Sequence, residues 1–305
     1  MNKKSIPHTA ICTYLLLIPL ITFAWIGVHA GEISHTLNEI PPKCCAAAHA
    51  LPAQLSLGLA DYRYKYEMFY IEDTTKNVVK TDLIYLDIGK EASHCYSYPT
   101  YYRDSLLNSM IDQGRNQIEI MSSTSGLRGG VSYIMAKQYK TQMLLVSDVI
   151  LVTRYKYSEQ IPQIDWMITQ DTCTILSYPC RKATALFRGR NWEAWFTTEI
   201  PIQEGPMQFS GLPGLILHLE DTQRHYIFTC IGMEQLIPQV VMQFKNSQRN
   251  GRPYLEISRE QFLRQARAAK ADPSEQMRIA GITLRQRDGS ELIMPQRPYN
   301  PIELR

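Results

Sequence analysis

Hydrophobic and polar residues alternate with a period of two from about position 61. Every second residue is then large and mostly aromatic, as in Tyr62, Tyr64, Tyr66, Met68 and Tyr70. The first residues between them are charged, so the segment predicts a strand with two different faces. Positions 74–77 supply a turn, and positions 78–88 have the composition of a returning strand. A long β-hairpin is therefore expected to open the domain.

More segments of strand-like composition follow. They lie at residues 117–121, 131–139, 143–157, 184–190, 192–200, 215–220, 226–231 and 239–245. Most are joined by short links without an intervening helix, which favours an antiparallel sheet over a βαβ arrangement.

Three segments carry helix signals. Asp104 or Ser105 is expected to cap a helix that ends before Gly114. A capping box of Ser258 and Gln261 predicts a helix over 259–270. A second box starts at Asp272 and predicts a short helix just beyond it.

The predicted fold class is therefore mainly β: a curved antiparallel sheet or half-open barrel with two or three short helices across its mouth. The helices are needed because the apolar concave face of such a sheet must be covered. By analogy only, this design is similar to the periplasmic lipoprotein-carrier (LolA-like) architecture, in which a helical lid covers a hydrophobic groove.

The N-terminus has the pattern of a secretory leader. Lys3 and Lys4 precede an uncharged stretch that ends in Val28-His29-Ala30, a small-x-small cleavage pattern. We expect residues 1–30 to be a signal peptide, 31–58 a flexible lead-in and 59–305 one domain. The alternative is a retained membrane anchor, since the uncharged stretch nearly suffices to span a bilayer.

Charge excludes two classes of partner by default. The leader carries two lysines and no acidic residue, so its removal from a chain of net charge +3 leaves a body of net charge +1. A nearly neutral body offers no electrostatic basis for binding nucleic acid or an anionic membrane surface. No later segment is long and apolar enough to span a membrane.

Export makes disulfides feasible for the six cysteines beyond the leader. Cys173 and Cys180 flank the turn-prone Ser177-Tyr178-Pro179, a spacing that suits a bridge across a hairpin. The adjacent Cys44 and Cys45 are poor partners for each other, and a bridge from either to a distant cysteine is not predictable.

The segment Gly211-Leu212-Pro213-Gly214-Leu215-Ile216 resembles the GLPGLI family, exported proteins of Gram-negative bacteria that are named for this hexapeptide. The resemblance extends upstream to Lys182-Ala183-Thr184 and Gly189-Arg190, and to Tyr299–Leu304 at the C-terminus. It implies export to the periplasm or cell envelope of a Gram-negative bacterium, and it implies no activity.

The hexapeptide is first of all a folding device. Pro213 disfavours a helical conformation at Leu212, and both glycines permit a positive φ or a close backbone approach. The chain is therefore expected to turn sharply and enter a strand. The alternative is that Leu212 and Pro213 form the apolar rim of a ligand cavity.

Arg188, Arg190 and Trp192 alternate onto one face if their strand is unbroken. Such a group can clamp a carboxylate or phosphate while the indole covers an acyl tail or ring. The pattern favours the structural interpretation, in which the arginines bridge neighbouring strands and anchor buried carboxylates.

The sequence lacks the common motifs of catalytic and metal-binding sites. The sequence contains no G-x-S-x-G, HExxH, Walker or Rossmann pattern and no CxxC. A hairpin turning at 222–223 is expected to bring His218, Glu220 and His225 to one face, which makes these three side chains candidate metal ligands. No catalytic residue and no cofactor is assigned.

The function expected from these features is that of a non-enzymatic exported envelope protein. It binds an apolar or amphiphilic ligand, such as a lipid or acylated peptide, or assists outer-membrane transport. The alternatives are a metal-dependent hydrolase, and an accessory subunit that pairs with an envelope protein through an edge strand.

Overall fold

A twelve-stranded sheet, counted over the described residues, forms the body of the protein. The computed structural model describes residues 53–76, 78–248, 251–286 and 288–305. The strands are β1 (Gln54–Ile71), β2 (Val79–Gly89), β3 (Ala92–Ser97), β4 (Ile134–Gln138), β5 (Met143–Ile150), β6 (Thr153–Gln160), β7 (Met167–Ile175), β8 (Tyr178–Phe187), β9 (Arg190–Thr197), β10 (Leu215–Asp221), β11 (Tyr226–Lys245) and β12 (Leu255–Glu256). Their order is β12-β6-β5-β4-β3-β2-β1-β11-β10-β9-β8-β7. Neighbouring strands pair antiparallel, except that β12 runs parallel to β6.

The sheet curves strongly without closing. Arg188, in the turn between β8 and β9, donates to both carboxylate oxygens of Glu159 in β6 at 2.9 Å. Eight strands separate β6 from β8 in the sheet order. In a flat sheet this separation would be about 40 Å, because neighbouring strands lie about 4.8 Å apart. The contact therefore requires that the two wings of the sheet bend toward each other. The predicted mainly β class and the open, curved antiparallel sheet are therefore confirmed.

The alternation along β1 gives the strand two different faces, as predicted, and its aromatic face lies inward. Tyr64, Tyr66 and Met68 are buried against the inward residues of β2 and β11. The strand begins earlier than expected, at Gln54, because Leu55 and Ser56 pair with Phe244 and Gln243 at the far end of β11. The end of the predicted lead-in, residues 54–58, is therefore strand. Residues 1–52, with the predicted leader and Cys44 and Cys45, lie outside the described residues.

Several strand predictions were wrong in detail. The stretch 143–157 is two strands, because Leu151 adopts a positive φ of 56° and turns the chain between β5 and β6. The stretches 226–231 and 239–245 belong to one strand, β11, which continues through register shifts against β1. The strands β3, β7 and β12 were not predicted.

Four helices occur among the described residues, more than the two or three expected: α1 (Tyr98–Asp112), α2 (Gln117–Thr124), α3 (Arg259–Ala271) and α4 (Pro273–Ile279). Ser97, rather than Asp104 or Ser105, caps α1 by accepting from the Thr100 N–H. The predicted strand 117–121 is α2, because Asn116 accepts from the Glu119 N–H and caps a helix. The boxes at Ser258 and Asp272 open α3 and α4 as predicted. Each of these helices is too short or too polar to traverse a bilayer.

The segment 198–214, which we call the plug, fills the centre of the concave face. Its Met207, Phe209 and Leu212 are buried in the main core. Phe209 packs edge-on against Trp192 of β9, with ring centroids 4.5 Å apart. The plug then joins β10, where the Ile216 carbonyl accepts from the buried Tyr66 hydroxyl at 2.7 Å. The concavity is thus occupied by the protein's own chain.

Candidate functional site

Two cavities remain at opposite ends of the curved sheet, one on each side of the plug. The helix-side cavity, about 690 Å³, lies where β1 and β5 end and β4, β6 and β11 begin, beneath α3 and the C-terminal segment. The loop-side cavity, about 750 Å³, lies at the opposite strand ends and is bounded by the loop 161–165. Both volumes fall within the range of small-molecule sites.

The floor of the helix-side cavity is apolar. Met68 of β1, Met135 of β4 and Met207 of the plug are each almost fully buried and face it. Ile150 and Ile302 complete this surface. Methionine side chains are flexible and polarizable, so a methionine floor adapts to apolar groups of different shapes.

Four tyrosines form an aromatic wall around this floor: Tyr70, Tyr133, Tyr226 and Tyr299. Tyr70 and Tyr226 stack with centroids 6.3 Å apart. The Tyr226 hydroxyl donates to the Asn300 carbonyl at 2.6 Å, which ties the wall to the C-terminal segment. Burial raises the pKa of Tyr133 well above its ordinary value, so its hydroxyl stays neutral and able to donate.

A buried carboxylate holds the edge of the cavity in place. Asp82 accepts hydrogen bonds from the Val131 N–H at 2.7 Å and from the Ser97 hydroxyl at 2.9 Å. A Cβ on Gly130 would overlap the Asp82 carboxylate and displace it from these hydrogen bonds. This contact fixes the chain just before β4, where Val131, Ser132 and Tyr133 reach the cavity.

Charged side chains surround the same cavity. The cations are Arg103, Arg154, Lys270 and Arg297, and the acids are Glu72 and Asp148. Burial raises the pKa of Asp148 to about 6, although hydrogen bonds from Ser132 and from the Val149 N–H and the charge of Arg154 act in the opposite direction. The cavity thus combines an apolar floor with a polar, net cationic margin.

The loop-side cavity is dominated by a buried ion pair. Lys137 of β4 contacts Glu204 of the plug with Nζ and Oε2 2.6 Å apart, and it donates to the Phe209 carbonyl at 2.9 Å. The side chains of Lys137 and Glu204 are 2% and 7% exposed. The pair therefore fastens the plug to the sheet at the edge of this cavity.

The predicted ligand clamp is engaged within the protein. Arg188 lies in the β8–β9 turn, with a φ of 51°, and binds Glu159 and Glu303. Arg190 is buried and binds Asp221 at 3.0 Å and the Pro301 carbonyl at 2.6 Å. The arginines thus follow the structural interpretation, in which they bridge strands and neutralise carboxylates.

The apolar residues of the predicted ligand site, Trp192, Leu212 and Pro213, do not line either cavity. Trp192 is 1% exposed and donates to the Phe187 carbonyl in the core. Leu212 is likewise buried, whereas Pro213 is exposed on the surface of the plug. A rim formed by Leu212 and Pro213 is not present, because the turn points the leucine into the core and the proline away from it.

The three predicted metal ligands are only partly brought together. His218 Nε2 lies 3.7 Å from Glu220 Oε2, and His218 Nδ1 lies 3.0 Å from the Thr229 hydroxyl. His225 lies immediately before β11, with its Nδ1 3.3 Å from Arg190 Nη1. In residues 53–76, 78–248, 251–286 and 288–305, no group of three or more His, Cys, Asp or Glu side chains is arranged to hold a metal.

Cys173 and Cys180 occupy directly opposed positions in β7 and β8, as the hairpin prediction required. Both are thiols in the structure, and so are Cys95 and Cys230, the other cysteines of the described ranges. The disulfide itself stays a prediction.

We expect Cys173 and Cys180 to form a disulfide when the folded protein is exposed to a disulfide donor such as oxidised glutathione. Opposed positions in adjacent antiparallel strands bring the two Cβ atoms within reach of a bridge. The oxidised protein should be lighter by two hydrogen atoms, and peptide mapping should link the two residues. A Cys173→Ser variant is the control, and a linked peptide that pairs Cys180 with another cysteine would contradict the prediction.

The residues that line the helix-side cavity were not singled out from the sequence. One usable signal was Asp148, the lone charge in the apolar run from Met143 to Val152. Burying a charged side chain costs free energy unless the charge is paired or hydrogen-bonded, so a charged residue within an apolar strand indicates a specific role. The adjacent Gly129 and Gly130 were a second signal of close backbone approach.

Comparison with known proteins adds little about function. A family model described as "Protein of unknown function (Porph_ging)" matches residues 188–218, from the β8–β9 turn through the plug into β10. No curated protein matches.

Solved structures of PNGF-II in P21 and C2 space groups are similar, with TM-scores of 0.43 and 0.42 and identities of 11% and 12%. The matches cover 68% of this chain and 33% and 32% of those chains, so the chain spans about a third of their length.

Proposed function

We propose that the protein is a non-enzymatic exported envelope protein of the GLPGLI type that binds an amphiphilic ligand in the helix-side cavity. The observation that carries this proposal is the composition of that cavity, in which a methionine floor and a tyrosine wall lie beneath a charged margin. An amphiphile presents the same division between an apolar tail and a polar head. Apolar pockets with a few convergent polar groups are the usual form of small-molecule sites.

The plug changes where the ligand binds. The groove beneath a helical lid in a LolA-like design corresponds to the central concavity, but Met207, Phe209 and Leu212 fill that space here. The tail of a ligand would therefore contact the floor at the end of the sheet, beside Met207, and α3 would cover it. A helix over the end of a curved sheet is the feature that the proposed likeness to lipoprotein carriers rests on, and it supports a role in carrying an amphiphile across the envelope.

Binding of single-chain amphiphiles tests the proposal. Dodecanoate, dodecan-1-ol and dodecyltrimethylammonium are titrated into the protein below their micelle concentrations, with binding followed by calorimetry. At least one should bind with a stoichiometry of one. Ala266 of α3 lines the cavity, so Ala266→Phe should fill it and weaken binding about tenfold or more.

The matched control is Ala271→Phe, at the exposed end of the same helix. It should bind like the wild type, and the melting temperature of each variant verifies folding. Failure of all three amphiphiles to bind, or unchanged binding by a folded Ala266→Phe variant, would overturn the proposal.

A further inference from the structure

The acidic groups of the helix-side cavity already have partners within the protein. Glu72 lies 2.7 Å from Lys270 Nζ and also pairs with Lys80. Asp148 accepts hydrogen bonds from the Ser132 hydroxyl and from the Val149 N–H. Glu72 therefore has cations of the protein beside it, and Asp148 has two neutral donors and the nearby charge of Arg154.

Two of the four cations around the cavity lack an ion-pair partner among the described residues. Among the described residues, neither Arg154 nor Arg297 forms an ion pair with a carboxylate, whereas Arg103 is bonded to Asp104 and Lys270 to Glu72. Arg154 is half-buried, and its Nη1 donates to the Ser132 carbonyl at 3.4 Å and to the Ser147 hydroxyl at 3.5 Å. Its guanidinium carbon lies 5.5 Å from the centroid of the Tyr254 ring. These contacts hold the guanidinium in place and leave most of its five N–H donors unused.

Arg297 is at the outer margin of the cavity. Its backbone N–H donates to the Lys270 carbonyl at 2.8 Å, which fixes the C-terminal segment against the end of α3. Its side chain is exposed but lines the cavity. A half-buried guanidinium and an exposed one therefore border the same opening.

We infer that Arg154 and Arg297 bind the anionic head group, a carboxylate or a phosphate, of a single-chain amphiphile whose tail lies on the methionine floor. This inference rests on the proposed function and specifies its ligand class. Guanidinium groups present paired N–H donors that match the oxygens of carboxylates and phosphates. The neutral Tyr133 hydroxyl, which borders the same cavity, supplies a further donor.

The solvent exposure of the lining residues indicates where the head group of the ligand lies. The floor residues Met68 and Met207 are both 2% exposed, so the apolar tail points inward. The charged head stays at the margin, where Arg297 is in contact with solvent. This orientation avoids burying the head group away from water without a partner.

Head-group selectivity tests the inference. Dodecanoate and dodecyl phosphate should bind at least tenfold more tightly than dodecan-1-ol, and dodecyltrimethylammonium should bind most weakly. Arg154→Gln and Arg297→Gln should each reduce the affinity for dodecanoate about tenfold and leave the affinity for dodecan-1-ol within twofold. Arg264→Gln, an exposed cation of α3 outside the cavity, is the control and should change neither.

Acetate and inorganic phosphate distinguish an amphiphile from a free anion. Neither should bind at concentrations at which dodecanoate saturates, because they lack the tail. If dodecan-1-ol binds as tightly as dodecanoate, or if both arginine variants retain wild-type affinity for dodecanoate, the head-group assignment fails while the proposed function stands. If no amphiphile binds, the proposed function fails as well. Tight binding of acetate or phosphate alone would replace the amphiphile with a small anion.

Discussion

Gly214→Ala is expected to lower the free energy of unfolding by about 3 kcal/mol or more. A Cβ at position 214 would overlap the backbone carbonyl of Thr197 in β9. The pairing of Leu215 with Thr197 holds the two chains at this separation. Since the obstacle is backbone, no change of rotamer can relieve the overlap, and the start of β10 must shift. Denaturant unfolding followed by tryptophan fluorescence measures the loss.

Gly211→Ala is the matched comparison within the same hexapeptide. Gly211 has a φ of 93° but no atom near the position of an added Cβ. Its replacement therefore costs only the strain of the backbone conformation, about 1–2 kcal/mol. If Gly211→Ala proves as harmful as Gly214→Ala, the close approach to Thr197 is not what requires glycine at 214.

Lys137→Met is expected to destabilise the protein by about 3–5 kcal/mol, because it leaves the buried Glu204 carboxylate without its cation. Glu204 belongs to the plug, so the loss also weakens the attachment of the plug to β4. The change in the free energy of unfolding is measured by denaturant titration at neutral pH. A loss below about 1 kcal/mol would show that the pair is not the main attachment.

Two further variants separate the charge effect from simple loss of packing. In Lys137→Met/Glu204→Leu both charges are absent, so much of the stability should return. Lys182→Met breaks the more exposed pair between Lys182 and Glu193, whose side chains are 21% and 29% exposed, and should cost at most about 1 kcal/mol. A double variant as unstable as Lys137→Met would contradict the electrostatic explanation.

The two glycines of the hexapeptide show how far local chemistry can be resolved from sequence. Both were expected to permit either a positive φ or a close approach. The structure assigns one role to each, a positive φ at Gly211 and a close approach at Gly214. The distinction depends on Thr197, which pairs beside the hexapeptide only after β9 and β10 have come together.

The predicted helix ends also show where local sequence signals succeed and where they fail. The box of Ser258 and Gln261 was predicted correctly because each partner lies within one turn of the other. The start of α1 was missed, since Ser97 is also the last residue of β3, where a strand pattern competes with the capping signal. Local signals are therefore most reliable where only one element uses them.

The sequence by itself determined the mainly β class, the opening hairpin, the two-faced alternation of β1 and the two C-terminal helices. These depend on alternation and on contacts between residues close in the chain. Only the tertiary structure decided that the plug fills the concavity, that Arg188 and Arg190 serve internal carboxylates, and that Arg154 and Arg297 border one cavity. Those outcomes depend on how far the sheet curves. The alternation along each strand predicts a sheet, but the extent of its curvature depends on how strands far apart in sequence pack together.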